Sequence, residues 1–148
     1  MSEQFIPIIA GSIRMDTFTK DLQHCTGISM YLANFISTHH ADSSHFNLMI
    51  SSVLNELLKI IIIQHKQHSQ LTYTIHQNKT HYIADFSFFV SDHHKKFFDQ
   101  FFSHLTQHND YLPPIHLYQI IANYRVILKR ITHSNPQIEN IHLNFPLY

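Results

Sequence analysis

Residues 71–90, LTYTIHQNKTHYIADFSFFV, decide how this chain folds. In the first half Leu71, Tyr73 and Ile75 share one face, with Thr72, Thr74 and His76 on the other. In the second half Tyr82, Ala84, Phe86, Phe88 and Val90 form an apolar face, while Asp85 and Ser87 point away. A period of two marks a half-buried strand, because successive side chains of an extended backbone leave opposite faces. Asn78-Lys79 supplies a tight turn between the runs, without the stronger Asn-Gly signal. The stretch therefore predicts a β-hairpin.

Upstream of the hairpin the period is 3.6. Phe46, Met49, Ile50, Val53, Leu54, Leu57, Leu58 and Ile61 recur in steps of three and four, behind the capping cluster Asp42-Ser43-Ser44. This is the clearest amphipathic helix in the chain and its expected central core element. Nearer the N-terminus, Asp16 or Thr17 caps a helix with apolar positions Phe18, Leu22, Cys25, Tyr31, Leu32, Phe35 and Ile36, and Gly27 weakens its middle. Residues 5–10 read as a short strand ended by Gly11-Ser12. Downstream, Ser91-Asp92 caps a helix carrying Phe97, Phe98, Phe101, Phe102 and Leu105, and Pro113-Pro114 breaks the chain. A last helix is expected from Leu117 through Ile120, Ile121, Tyr124, Val126 and Ile127 to Ile131, with Lys129 and Arg130 against its C-terminal dipole. Asn135-Pro136 then turns, and residues 138–147 alternate as a closing strand. The order β-α-α-β-β-α-α-β lacks regular βαβ units. It predicts an α+β two-layer sandwich, one domain over residues 1–148, with helices on one face of a mostly antiparallel sheet. The other sheet face, with its Thr, His, Asp and Ser side chains, is wet or occupied by a partner.

Composition narrows the function. Ten Lys and Arg balance ten Asp and Glu in 148 residues, so the formal charge is zero and no nucleic-acid partner is expected. Only 14% of residues are charged, well below an ordinary globular domain. With Gly11 and Gly27 the only glycines, neither GxGxxG nor GxxxxGK[ST] can be written. The single cysteine, Cys25, excludes an internal disulfide and a multi-cysteine zinc site. The N-terminus carries Glu3 and Gln4 where a signal peptide would carry lysines. The most apolar stretch, residues 57–63, falls far short of the ~20 residues that span a bilayer. A cytoplasmic protein with no membrane association is the resulting expectation. Fifteen histidines are abnormal for this length. As they protonate around a reference pKa of ~6.5, net charge climbs from zero toward +15, so solubility and partner binding should depend on pH.

The string Val53-Leu54-Asn55-Glu56-Leu57-Leu58-Lys59-Ile60-Ile61 resembles the N-box helix of the GHKL ATPase superfamily, which includes histidine-kinase catalytic domains, anti-sigma serine kinases and SiaB-like kinases. There the pattern runs approximately Val-Leu-x-Glu-Leu-Leu-x-Asn-Ala. The likeness extends to element order: a helix before the N-box helix, a hairpin after it, then two helices and a closing strand with Phe-Pro-Leu. The resemblance implies that Glu56 is the catalytic acidic residue that activates water or a hydroxyl, and that Asn55 and Asp92 lie at the cofactor site for Mg-ATP. The magnesium-binding asparagine should stand four residues after Glu56, one turn along the same face. That position is Ile60, which has no oxygen for a hard cation. The adenine-contacting Asp-x-Gly-x-Gly has only Asp92-His93-His94-Lys95 as its counterpart, and the second glycine box is missing. Without glycine the backbone cannot approach a polyphosphate closely.

Two simpler readings stand beside this. Ser51, Ser52, Asn55, Glu56 and Lys59 all lie opposite the apolar stripe, as a solvated helix face would place them, and Asp92 is a helix N-cap. Among the histidines, His104 and His108 sit four apart on the Phe-rich helix and form a candidate metal pair. His65-x-x-His68, His93-His94 and His39-His40 add others, but no HExxH occurs. Adventitious zinc or nickel binding follows from this density. Cys25 falls on an apolar stripe, where an inert thiol is the usual outcome. Four phenylalanines in six residues exceed one helix face, so part of that surface is expected to meet another chain.

The resulting expectation is a bacterial signalling module resembling anti-sigma factors and SiaB-like kinases. It has a degenerate ATP site, needs no cofactor, and binds a sigma factor or a small anti-anti-sigma-type switch protein, with a homodimer as a variant. The alternatives are an active ATP-dependent serine or histidine-type protein kinase and a histidine-rich metal- or pH-responsive protein.

Overall fold

In a computed structural model of the chain, residues 6–15, 23–37, 43–63, 70–77, 80–106 and 115–146 are described. The hairpin forms as its alternation requires. Strand β2 (Gln70–Gln77) pairs antiparallel with β3 (His81–Phe89), from Thr72↔Ser87 to Gln77↔Tyr82. On β3, Tyr82, Ala84, Phe86 and Phe88 are buried, and the residues between them are not. Strand β5 (Ile138–Pro146) pairs with the other edge of β3 and buries Ile141, Leu143 and Phe145 in the same rhythm. With β1 (Ile6–Arg14) and β4 (Ile127–Ile131) added, the sheet has five strands in the order β1-β2-β3-β5-β4, every pair antiparallel.

Four helices complete the two-layer α+β sandwich: α1 (Gln23–Ser37), α2 (Ser43–Ile63), α3 (Asp92–Thr106) and α4 (Ile115–Tyr124). They cover the sheet face that carries Tyr82, Phe86 and Phe88. Phe46 of α2 packs on Tyr82 with ring centroids 5.3 Å apart, and Phe98 of α3 packs on Phe88 at 5.4 Å. His45 of α2 meets Tyr124 of α4 edge-on at 5.7 Å. Val53, Leu54, Leu57 and Ile61 of α2 are completely buried, so the helix with the strongest sequence signal is the core element it was expected to be. A 19-residue window of this helix, Ser44–Ile62, is long and apolar enough to cross a membrane by length and composition, and half of it is buried inside the fold.

Several expectations need correction. β1 does not stop at Gly11-Ser12 but continues to Arg14. Gly11 pairs with Tyr73, and a Cβ there would lie 2.6 Å from the Tyr73 hydroxyl, so the glycine makes room for a phenol ring instead of ending the strand. Of the apolar positions expected on the first helix, Tyr31 and Phe35 are 56% and 42% exposed. Ser91, not Asp92, is the cap of α3: its Oγ accepts the His94 N–H at 3.3 Å, and Asp92 occupies the first turn. There its charge favours the positive end of the helix dipole. The surplus phenylalanines of α3 do not form a bare surface. Phe98 and Phe101 are buried, and Phe97 and Phe102 pack partly buried against the core. The turn Asn78-Lys79, the break Pro113-Pro114 and the caps Asp16, Thr17 and Asp42 lie outside the described residues.

The largest correction concerns the last helix, which ends at Tyr124 and gives way to β4, the strand absent from the sequence reading. Arg125 has φ of 57°. The Val126 N–H donates to the Ile121 carbonyl at 3.1 Å and the Arg125 N–H to the Ala122 carbonyl at 3.4 Å. These two bonds are a Schellman closure, accompanied by burial of Val126 and Ile121. Left-handed backbone is costly for a residue with a Cβ and cheap for glycine. The variant Arg125→Gly should therefore raise stability by about 0.5–1 kcal/mol, read as a higher urea midpoint with an unchanged slope.

Candidate functional site

The five-strand register lays the residues of the uncovered face in cross-strand rows. The central row runs Lys129, His142, Asp85, Thr74, Ala10 from β4 to β1. On one side lies the row Ile131, Asn140, Ser87, Thr72, Ser12, and on the other Ile127, Asn144, Ile83, His76, Pro7. This is the polar face anticipated from Thr, His, Asp and Ser. It also carries apolar groups at its margins: Ile127 is 56% exposed, and Ile131 and Phe89 are exposed too.

Small side chains in the middle of this face leave a cavity of about 340 Å³, lined by Thr72, Tyr73, Thr74, Asp85, Phe86, Ser87, Ile131 and Asn140. Tyr73 and Phe86 send their side chains to the helix layer, so they contribute backbone to the floor. Asp85 is the sole carboxylate on the described part of this face. Its Oδ1 lies 2.7 Å from His142 Nδ1, a contact between residues 57 apart in sequence. Its Oδ2 has no partner among the described residues, and the carboxyl group is 38% exposed. The Thr72 hydroxyl donates to the Ser87 carbonyl at 3.3 Å. No described hydroxyl is bonded to His142, so the geometry lacks the nucleophile–base contact of covalent catalysis. What it offers is recognition: a carboxylate oxygen to accept an ammonium or guanidinium group, hydroxyls and an amide around it, and aliphatic walls.

The residues singled out by the helix motif lie elsewhere. Asn55 Oδ1 accepts the Thr26 hydroxyl at 3.2 Å, which ties α2 to α1. Glu56 and Lys59 form an i,i+3 ion pair of 3.7 Å on the half-buried outer side of α2. Ile60 packs partly buried against the core. Asp92 is exposed at the start of α3, and none of these residues lines the cavity. Among the described residues no group of three or more His, Cys, Asp or Glu is placed to hold a metal ion. His104 lies in α3, with its side chain outside the described set, and His108 lies outside the described residues altogether.

Two further groups have resolved chemistry. Burial pushes the Cys25 thiol up to about 11, against a smaller opposing effect of Lys59. On the helix side of the sheet, Arg130 of β4 grips Glu139 of β5 in a bidentate pair, Nε–Oε1 2.5 Å and Nη2–Oε2 2.9 Å. Its Nη1 reaches Asp99 of α3 at 2.6 Å, and its guanidinium carbon lies 5.3 Å from the centre of the Phe102 ring. The hydrogen bond to Glu139, more than that to Asp99, raises the Arg130 pKa above its ordinary value despite partial burial. Sequence reasoning placed Arg130 at a helix terminus and missed this cluster, because the strand that presents it was missed. No protein-family model matches the chain, and no curated protein matches it.

Two outcomes follow. With Arg130→Met the carboxylate of Glu139, 3% exposed, loses its cation, and the variant should lose about 3 kcal/mol, read by urea unfolding. Asp99→Asn removes only the exposed arm and should cost under 1 kcal/mol. For Cys25, a folded pKa above the unfolded one means that the neutral thiol is favoured, with stability held below the unfolded value and lost as pH rises through about 11. At pH 8 only about one thiol in a thousand is thiolate, so a thiol reagent should leave the native chain unlabelled and label it promptly in urea.

Proposed function

We propose that this chain is a regulatory protein-binding module of the anti-sigma and SiaB-like kind, cytoplasmic, with a nucleotide site that has lost its chemistry. The observation that carries the reading is the uncovered sheet face. A carboxylate oxygen of Asp85 looks into a cavity rimmed by Ile131, and exposed Ile127 and Phe89 flank it. Apolar contacts around a few placed polar groups are the composition of a protein-binding surface. The fitting partner, a sigma factor or a small switch protein, presents a Lys or Arg between apolar residues.

Support for a degenerate site comes from the helix motif. Ile60 stands where an oxygen ligand would be needed, Asn55 is engaged by Thr26, and Glu56 is paired with Lys59. The helix pair and the hairpin on which the GHKL resemblance draws are elements of this fold, while β4 stands as an additional strand between the two later helices and the closing strand. An active kinase would instead use Glu56 as base and Asp92 at the adenine.

Titration calorimetry with Mg-ATP should give no saturable heat. Against small proteins encoded beside this one, Asp85→Asn and Ile131→Lys should each weaken binding at least tenfold, while Glu56→Ala leaves it unchanged. A micromolar Mg-ATP site, with phosphotransfer abolished in Glu56→Ala, overturns the proposal in favour of the kinase.

A further inference from the structure

On the sheet face proposed above as the partner site, only half of the Asp85 carboxylate is available, and the half that is taken decides which cation it accepts. Its Oδ1 lies 2.7 Å from His142 Nδ1. A carboxylate can only accept, so this nitrogen carries the proton and donates it. The other oxygen, Oδ2, belongs to the wall of the cavity. The register sets acceptors around it. Thr74 stands directly across from Asp85 on β2, Ser87 follows on the same face of β3, and Thr72 and Asn140 are the cross-strand partners of Ser87 on β2 and β5. Direct cross-strand partners have Cβ atoms about 4.5–5.5 Å apart. All four line the cavity with Asp85. The Thr72 hydroxyl gives its proton to the Ser87 carbonyl at 3.3 Å, so its oxygen is left to accept. Among the described residues, the Thr74 and Ser87 hydroxyls and the Asn140 amide have no hydrogen-bond partner.

Arginine and lysine meet such a site differently. A guanidinium owes its strength to a planar fork, two parallel N–H bonds to both oxygens of one carboxylate. The imidazole beside Oδ1 blocks one arm of that fork. The guanidinium keeps a single bond to Oδ2, and its remaining N–H groups, fixed in one plane, face acceptors that come from three different strands. Loss of one charge-assisted bond corresponds to about tenfold in affinity or more. An ammonium is a compact charge that needs one carboxylate oxygen, and its three protons rotate freely about the C–N bond. One goes to Asp85 Oδ2 and the others to hydroxyl oxygens or the Asn140 carbonyl. Lys129, next in the row beyond His142, stands two strand spacings, about 10 Å, from Asp85 and makes no ion pair with it. The source of the ammonium follows from what flanks the cavity. Ile131 forms a wall, and Ile127 and Phe89 are exposed on the same face. A free amine would leave these side chains in water, whereas a lysine within a protein brings neighbours that cover them.

We infer that the sheet face selects lysine. The cation it takes at Asp85 is the primary ammonium of a partner's lysine side chain, and His142 is the positioning residue that disfavours arginine by holding Oδ1. This inference rests on the reading of the face as a partner site and adds to it the residue type by which the partner is recognised.

The probes are n-butylammonium, n-propylguanidinium and two end-capped peptides, Leu-Lys-Leu and Leu-Arg-Leu, each titrated into the full chain and followed by the amide NMR shifts of β2, β3 and β5. The wild type should bind butylammonium and the Lys peptide at least tenfold tighter than their guanidinium counterparts, with the peptide the tighter of the two ammonium probes. Asp85→Asn should abolish binding of all four. In His142→Ala, which frees Oδ1, the order should reverse in favour of the guanidinium probes. His142→Val, with a strand-favouring side chain and no donor, repeats the test should the alanine variant lose its fold. A merely structural role of His142 would weaken all probes alike and keep their order, and that result overturns the inference. Equal binding of the Lys and Arg peptides by the wild type overturns it too, while the partner reading stands. A Lys peptide that binds no tighter than butylammonium, and no more weakly to Ile131→Lys, overturns lysine as the source together with the partner reading. Absence of binding by every probe overturns both.

Discussion

Helix α2 lies across the antiparallel sheet with Ile50, Val53, Leu54, Leu57 and Ile61 wholly removed from water, facing strands that bury Ile75, Phe86, Ile141 and Leu143 to the same degree. Each such side chain contributes about 1.5–3 kcal/mol on burial. Five from one helix therefore amount to roughly 10 kcal/mol, comparable to the whole net stability of a domain. Fixing α2 fixes much else. α1 is bonded to its side through Thr26 and Asn34, α4 meets its first turn at His45, and Phe46 packs on Tyr82 of the hairpin. With one sheet face committed to this contact, the alternation of β2, β3 and β5 leaves every second residue on a face that none of the described helices covers.

How much of this the sequence discloses depends on how local the determining physics is. The hairpin and α2 were legible because a repeating burial pattern writes itself into ten or more consecutive residues. β4 was not. Its Ile127–Ile131 run follows a helical pattern with apolar residues still at helical steps, and the stop signal that separates them is an arginine in left-handed backbone instead of the expected glycine. Conversely, Gly11 looked like a stop and is a strand residue, since its role is set by Tyr73 across the sheet, sixty-two positions away. Tyr31 and Phe35 could be read only as apolar helix positions, because periodicity cannot tell a side chain facing a core from one facing outward.

The candidate site shows the same division more sharply. A motif on one helix turn, Asn55-Glu56, could be read directly, and the fold shows each member engaged by a neighbour: Thr26 for the first and Lys59 for the second. The Asp85–His142 contact could not be read, because it exists only through the pairing of β3 with β5. That Asp85 and Ser87 lie on the far face was visible from alternation. That His142, Asn140 and Ile131 join them there required the strand order. The Arg130–Glu139–Asp99 cluster was hidden twice, by the missed strand and by its dependence on α3.

Low charge gives these observations a common meaning. Several charged groups are turned inward or against one another: Arg130 with Glu139 and Asp99, Glu56 with Lys59, Asp85 with His142. A buried pair of this kind adds little net stability over apolar replacement, but it penalises any arrangement that separates its members. In this fold that penalty holds α3 to the β4–β5 edge of the sheet. The corollary for function is kinetic. Apolar surfaces that carry few charges gain little from long-range steering, so their association lies toward the ~10⁵–10⁶ M⁻¹s⁻¹ of unsteered encounters. Affinity must then reside in slow dissociation, which depends on how completely apolar side chains such as Phe89, Ile127 and Ile131 are covered. Salt then bears chiefly on the one ionic contact that Asp85 offers, in contrast to the many ion-steered pairs of more highly charged proteins.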